Sequence, residues 1–339
     1  MMKFISVFAA LLSLAASTVC GAAERDESNA LDVYLQPQTL AQLPDGRKFH
    51  FYCTGSGGPT VLLDAGLALW SVSWRAIQPQ MAQMTRVCAF DRAGLWFSDP
   101  GPMPRDSAAE VKDLHEALAA AGIKPPYVLI GHSYGGMTSR LFALRYTPEV
   151  AGMLLIDPSF ADQGKKMGDS EKLAQENRDF MAHCASLARQ SKLHAGMAET
   201  EDGAICVNPG RDDWSKKMSA KLIELTTKAS FFETIVSEDT EMETRSSREL
   251  NAATHPFGSM PIVVLTQDEE HWTKTDEPDS DHKKRYAAWV AGHDEIAKGS
   301  TRGENIVVPG AGHFVHYDKP DLVLEKLRGM LESIRAISK

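Results

Sequence analysis

The chain has 339 residues, 43% of them hydrophobic and 24% charged, with 45 acidic against 36 basic side chains and a formal charge of -9. That length and mixture describe a folded domain with a full apolar core and room for one insertion, and exclude a disordered or fibrous chain. The acidic balance is scattered and no basic cluster stands against it, so the sequence offers no surface for nucleic acid or for an anionic membrane.

Lys3, the uncharged apolar run Phe4–Ala16 and the small residues Gly21, Ala22 and Ala23 form the pattern of a secretory leader. Residues 1–23 are therefore expected to be a signal peptide and the mature protein to be periplasmic or secreted. The run is shorter than the about 20 residues a spanning helix needs, and no later stretch replaces it, so no stable membrane anchor is expected. Val19 stands where a lipoprotein leader carries a small residue, which argues against lipid attachment at Cys20.

Lys48–Cys53 and Thr60–Leu63 read as strands joined by the Gly- and Ser-rich turn Thr54–Pro59, and so as a hairpin. Arg86–Phe90 and Tyr127–Ile130 are apolar runs closed by Asp91 and Gly131, and both read as buried strands. Between them Ser107 and Glu110 form a capping box ahead of a helix with Val111, Leu114 and Leu118 at helical spacing, stopped at Gly122. Met137–Tyr146 reads as a helix, Met153–Ile156, Ile262–Thr266 and Asn305–Val308 as strands, and Leu322–Ile334 as a closing amphipathic helix. Strands alternating with helices predict an α/β fold with a mostly parallel central sheet. From Phe160 to Pro261 the pattern shifts to charged helical sequence, as in Lys172–Lys192 and Trp214–Val236. The expected organisation is a core of residues 24–160 and 259–339 with a helical cap, 161–258, inserted.

Gly131-His132-Ser133-Tyr134-Gly135 is a G-x-S-x-G motif set between a strand and a helix, the context in which a serine is pushed up on a sharp turn. The flanking glycines suit a turn where a side chain would strike neighbouring backbone. A serine hydroxyl needs a base to act as a nucleophile at neutral pH, and histidine has the right proton affinity. Of the eleven histidines, His313 lies on the glycine-rich loop Gly310-Ala311-Gly312-His313 just after the last strand, with His316 as the nearest rival.

From about Arg47 to Ile334, apart from the inserted cap, these blocks together resemble the α/β-hydrolase superfamily, in its serine-nucleophile branch. Leu62-Leu63-Asp64-Ala65-Gly66-Leu67 resembles the family's oxyanion turn, with Asp64 and Ala65 in place of the usual histidine and its neighbour. The resemblance implies that the backbone amides of Leu67 and Tyr134 form the oxyanion hole. Asp91-Arg92-Ala93-Gly94 with Ser98 resembles a structural loop after the fourth strand. The acid that orients the histidine has two positions in the family. One, after the sixth strand, falls on Asp157 in Leu155-Ile156-Asp157-Pro158-Ser159; the other, after the seventh, falls on Gln267-Asp268-Glu269-Glu270, where Asp268 leads Glu270. Both stay open at this point.

In the fold so implied the second and fourth strands are neighbours, which makes Cys53 and Cys88 a candidate cross-strand disulfide, and Cys184 and Cys206 are then expected to staple the cap, a bridge worth about 3 kcal/mol. Trp70, Trp74, Trp96 and Phe97 come from loops bordering the elbow and are expected to build an apolar acyl pocket. The absence of a CxxC pair, a phosphate-cradling loop and a dinucleotide fingerprint leaves no metal and no cofactor to expect. The sequence thus reads as a serine hydrolase acting on a small-molecule ester or related acyl bond. An exported aminopeptidase or amidase, a non-catalytic binding protein of the same fold and a haloperoxidase-like oxidation are the rival readings.

Overall fold

Eight strands lie in one sheet in the order β1-β2-β4-β3-β5-β6-β7-β8, in a computed structural model that describes residues 31–168, 171–199, 206–208, 210, 214–252, 257–275 and 281–337. The expected leader, residues 1–23, lies outside the described residues. The strands are β1 (Thr39–Gln42), β2 (Lys48–Thr54), β3 (Thr60–Asp64), β4 (Val87–Asp91), β5 (Tyr127–His132), β6 (Val150–Ile156), β7 (Ile262–Thr266) and β8 (Gly303–Val307). β2 runs antiparallel to β1 and β4, and every pair from β4 to β8 is parallel. β3 to β7 are apolar along nearly their whole length and almost entirely buried, as strands covered on both faces must be.

The expected hairpin between Lys48–Cys53 and Thr60–Leu63 is not formed. β4 lies between β2 and β3, and the hairpin partner of β2 is β1, a strand the sequence reading passed over. Two adjacent runs with a turn signal satisfy a local rule, but β3 is buried throughout and takes parallel neighbours on both sides, β4 and β5. The register sets Cys53 opposite Cys88, and the two form a disulfide.

The longer helices are α1 (Ser107–Ala120), α2 (Tyr134–Arg145), α3 (Glu171–Arg189), α4 (Lys216–Thr226), α5 (Ala229–Glu241), α6 (His282–Lys298) and α7 (Pro320–Ile337). The N-cap of α1 is Asp106, which accepts from the Ala109 amide at 2.9 Å. Ser107 is therefore already helical, and Glu110 turns to the Arg105 guanidinium at 2.9 Å in place of closing a capping box. α6 was not anticipated.

α3, α4 and α5 stand between β6 and β7 and pack over the carboxyl ends of the strands through Met181, Leu222, Phe231 and Ile235, which share one apolar cluster with Trp70 and Trp96 of the core. The run Trp214–Val236 is two helices. The Thr227 hydroxyl donates to the Ile223 carbonyl at 2.6 Å and Lys228 is extended, so the chain breaks there and restarts. Cys184 of α3 is bonded to Cys206. Among the described residues no helix is long and apolar enough to cross a membrane.

Candidate active site

β5 ends at His132 and α2 begins at Tyr134, which leaves Ser133 alone to turn the chain, at φ 53° and ψ -122°. Residues other than glycine avoid that region because Cβ crowds the backbone. The surroundings hold it: the Ser133 amide donates to the Ile156 carbonyl at 3.1 Å, and its own carbonyl accepts from the Gly136 and Ser159 amides at 2.8 and 2.9 Å. A methyl group added at Gly131 would overlap the Gly135 carbonyl, and one at Gly135 the Asp64 carbonyl. The glycines of the motif are thus required by backbone packed on backbone.

His313 is carried on the loop after β8 with its side chain 29% exposed. Among the bonds that hold that loop are these. Asp268 Oδ2 accepts from the Gly310 amide at 2.7 Å, Asp318 Oδ2 from the Gly312 amide at 2.8 Å, and His132 Nε2 bonds the His313 carbonyl at 3.0 Å. The last ties the neighbour of Ser133 directly to the histidine. Burial keeps His132 well below the usual histidine range, hence neutral and a donor through Nε2.

Of the two positions left open for the acid, the structure brings Asp157 to the histidine. Asp157 Oδ2 lies 2.6 Å from His313 Nδ1, and the carboxylate is fully buried. Its other oxygen accepts from Trp289 Nε1 at 2.8 Å and from the Gln267 amide at 3.0 Å. The candidates after β7 fall away. The Asp268 carboxylate is turned to the Gly310 amide, whose bond holds it below the usual carboxylate range, and Glu270 is exposed on the short helix Glu269–Thr275. Asp268 braces the histidine's loop while Asp157 braces its ring. His316 is fully buried between Trp74 and His132, where loss of hydration pushes its pKa down to about 3, so it is not placed to act as a base.

Leu67 follows Gly66, and a methyl at Gly66 would sit 3.0 Å from His132 Nδ1 and 3.2 Å from Ser133 Cβ, so the oxyanion turn lies against the elbow. Tyr134 is the first residue of α2, where amides have no partner within the helix and carry its positive end. Beneath both runs the Arg92 guanidinium, bonded to the Ala65 and Gly66 carbonyls at 2.5 and 2.9 Å and stacked 5.1 Å from the Tyr134 ring. Asp64 replaces the family's histidine as a partner of Arg92 at 2.9 Å and of the Thr138 hydroxyl. Burial raises its pKa to about 6 against the opposing pull of Arg92.

The four aromatic residues expected to form a pocket do not act together. Trp70 and Trp96 stack face to face, 5.0 Å apart and 8° from parallel, and Phe231 of the cap meets Trp70 edge-on, in the cluster against which Leu67 packs. Trp74 is instead fully buried in the core on the other face of the sheet, against His316. Phe97 is set edge-on to His50, behind Trp96. Both are large apolar residues in site-bordering loops, and that sequence position does not tell which way a ring turns. Trp289, Arg92 and Glu238 also shape the site without having been singled out for it. For Trp289 the sequence carries no signal beyond an aromatic residue on a helix.

The alpha/beta hydrolase family profile matches residues 53–326. Over 284 residues the chain is 25% identical to an uncharacterized protein of Bacillus subtilis, YqjL, a stretch covering 82% of this chain and 86% of that one. Among solved structures the epoxide hydrolase CorEH is similar with a TM-score of 0.62 at 20% identity, over 87% of this chain and 98% of its own. A thermophilic esterase from Thermogutta terrifontis is similar with a TM-score of 0.56 at 22% identity, over 88% and 99%. At such identities the structural likeness is one of fold. The family match, however, runs from β2 into the closing helix and takes in Ser133 on its elbow, Asp157 and His313. With that span and this sheet, the chain belongs to the alpha/beta hydrolase family.

Proposed function

We propose that the protein is an exported serine hydrolase that cleaves a carboxylic ester or related acyl bond in a small-molecule substrate. The observation that carries this reading is the 2.6 Å contact between Asp157 and His313, on a loop bonded to the residue beside the elbow serine. In this reading Ser133 Oγ attacks the acyl carbon while His313 takes its proton, and Asp157 stabilises the imidazolium that forms. The oxyanion is held by the Leu67 and Tyr134 amides, donors fixed before the reaction begins. His313 returns the proton to the leaving group. Water then attacks the acyl-serine, its proton passing through His313 to Ser133 as the acid is released.

A serine at the elbow supports acyl transfer over the aspartate-nucleophile chemistry of epoxide hydrolases. The apolar cluster of Trp70, Trp96 and Phe231 against Leu67 supports an apolar acyl group. Export is supported by the leader pattern at residues 1–23 and by the two disulfides, which persist in oxidising compartments.

Labelling of the purified protein by a fluorophosphonate probe tests the reading, because the probe requires an activated serine and no known substrate. Wild type is expected to label, and Ser133→Ala and His313→Ala to remain unlabelled. Folded wild type that does not react would overturn the proposal in favour of a non-catalytic binding protein.

A further inference from the structure

The Arg92 guanidinium is 2% exposed and uses all five of its N–H donors: Nε and Nη2 on Glu238 at 2.7 and 3.0 Å, Nη1 on Asp64 at 2.9 Å and on the Ala65 carbonyl at 2.5 Å, and Nη2 on the Gly66 carbonyl at 2.9 Å. Asp64, Ala65 and Gly66 belong to the oxyanion turn, but Glu238 belongs to the cap, on α5, and is completely buried. A fork held on both teeth by a carboxylate has a fixed plane, so Glu238 decides where the remaining donors point.

The carbonyl of Gly66 and the amide of Leu67 are the two ends of one planar trans peptide, and they point in opposite directions. Pinning the Gly66 oxygen onto Arg92 therefore turns the Leu67 N–H away from the guanidinium. The glycine at 66 has no Cβ to resist a turn of this peptide, and what opposes it is the bond to Arg92 together with the one its carbonyl accepts from the Leu69 amide at 3.1 Å. We infer that Glu238 is a positioning residue for the reaction: by fixing the plane of Arg92 it holds the Gly66–Leu67 peptide with its amide in the oxyanion hole, so that the hole is complete only while the cap is seated. This rests on the serine-hydrolase reading above.

The test uses the full-length protein with p-nitrophenyl butyrate as substrate and a trifluoromethyl ketone as tetrahedral mimic. Glu238→Gln keeps the shape but loses one of the two acceptors. It is expected to lower kcat roughly 10- to 100-fold, somewhat less than the loss of a whole oxyanion donor, with KM within about twofold, because a ground-state carbonyl draws less on the hole than the oxyanion does. Affinity for the ketone is expected to fall in parallel with kcat/KM, and amide exchange in the peptide spanning Asp64–Trp70 to quicken. Ser237→Ala removes a neighbouring cap contact, to the Arg105 amide at 2.8 Å, and is expected to keep wild-type rates. If Glu238→Gln does not fold, the triple substitution Asp64→Asn, Arg92→Met and Glu238→Met replaces the whole buried charged cluster by neutral side chains and is expected to show the same selective loss of kcat. Wild-type kcat in either folded variant, or unchanged exchange over Asp64–Trp70, overturns the inference alone. An inert wild type overturns it together with the proposed function.

Discussion

The Asp157 carboxylate meets the His313 ring at 2.6 Å from a residue that itself sits at a positive φ, 43°, on the loop where the chain leaves the sheet for the cap. An asparagine there presents an amide where His313 needs an acceptor and favours the wrong tautomer. Asp157→Asn is expected to lower kcat by about 10³- to 10⁴-fold with little change in KM. Asp268→Asn, by contrast, weakens one bond to the Gly310 amide and is expected to cost about 1 kcal/mol of stability and less than about tenfold in rate. Initial rates of ester hydrolysis by the two variants would reverse the assignment if Asp268→Asn were the more damaging.

Trp289 donates to Asp157 Oδ1 from within the core. Trp289→Phe keeps most of the packing and removes that donor to a buried charged group, at an expected cost of about 1.5–3 kcal/mol in stability. Because the carboxylate then has one restraint fewer, kcat is expected to fall about tenfold. Urea midpoints measured alongside kcat check both; a variant as stable and as active as wild type would show that the Gln267 amide suffices.

His316 is folded into the core as a neutral ring, its pKa pushed down to about 3, first by burial and then by the charges of His313 and Arg75. Unfolded, it titrates near the ordinary value of about 6.5. Between these values the unfolded chain binds a proton that the folded one refuses. Stability is therefore full above about pH 6.5 and falls as the pH drops, by up to about 1.4 kcal/mol per unit for each such residue. His132 and His293 are shifted the same way by burial and add to the slope. Urea midpoints at pH 7.5 and 5.5 are expected to differ, and His316→Phe to reduce the difference; an unaltered slope would exclude His316 as a source.

The Cys184–Cys206 bridge ties α3 to the segment ahead of α4. Replacing both cysteines by serine is expected to cost about 3 kcal/mol and to act on the cap, with amide exchange in α3 rising before that in β5. Mass mapping without reduction checks the pairing first, since free thiols at 184 and 206 would remove it.

Where the sequence was legible, one local segment carried the whole signal. The elbow around Ser133 and the loop of His313 are announced by glycines at fixed offsets, and a strand before each of them gives the context. Which carboxylate meets His313 was not legible, because Asp157 and Asp268 both follow a strand. What separates them is a tryptophan 132 residues beyond Asp157 and an amide 42 residues beyond Asp268, and no window of sequence contains either pair. The false hairpin has the same origin, since β4, which takes the place beside β2 expected for β3, comes from the far side of β3 in the chain. Asp64 was read as a departure from a family pattern, while its reason, the paired Arg92, lay in a block assigned only to loop structure.

At Gly135 the helix after Ser133 touches the turn after β3 main chain to main chain, with no side chain between them. The spacing at that point is therefore set by backbone, and no residue larger than glycine fits at 135 without moving one of the two. A lineage or a laboratory library that starts from this scaffold keeps that glycine fixed, and is left the cap and the aromatic seam beneath it to vary.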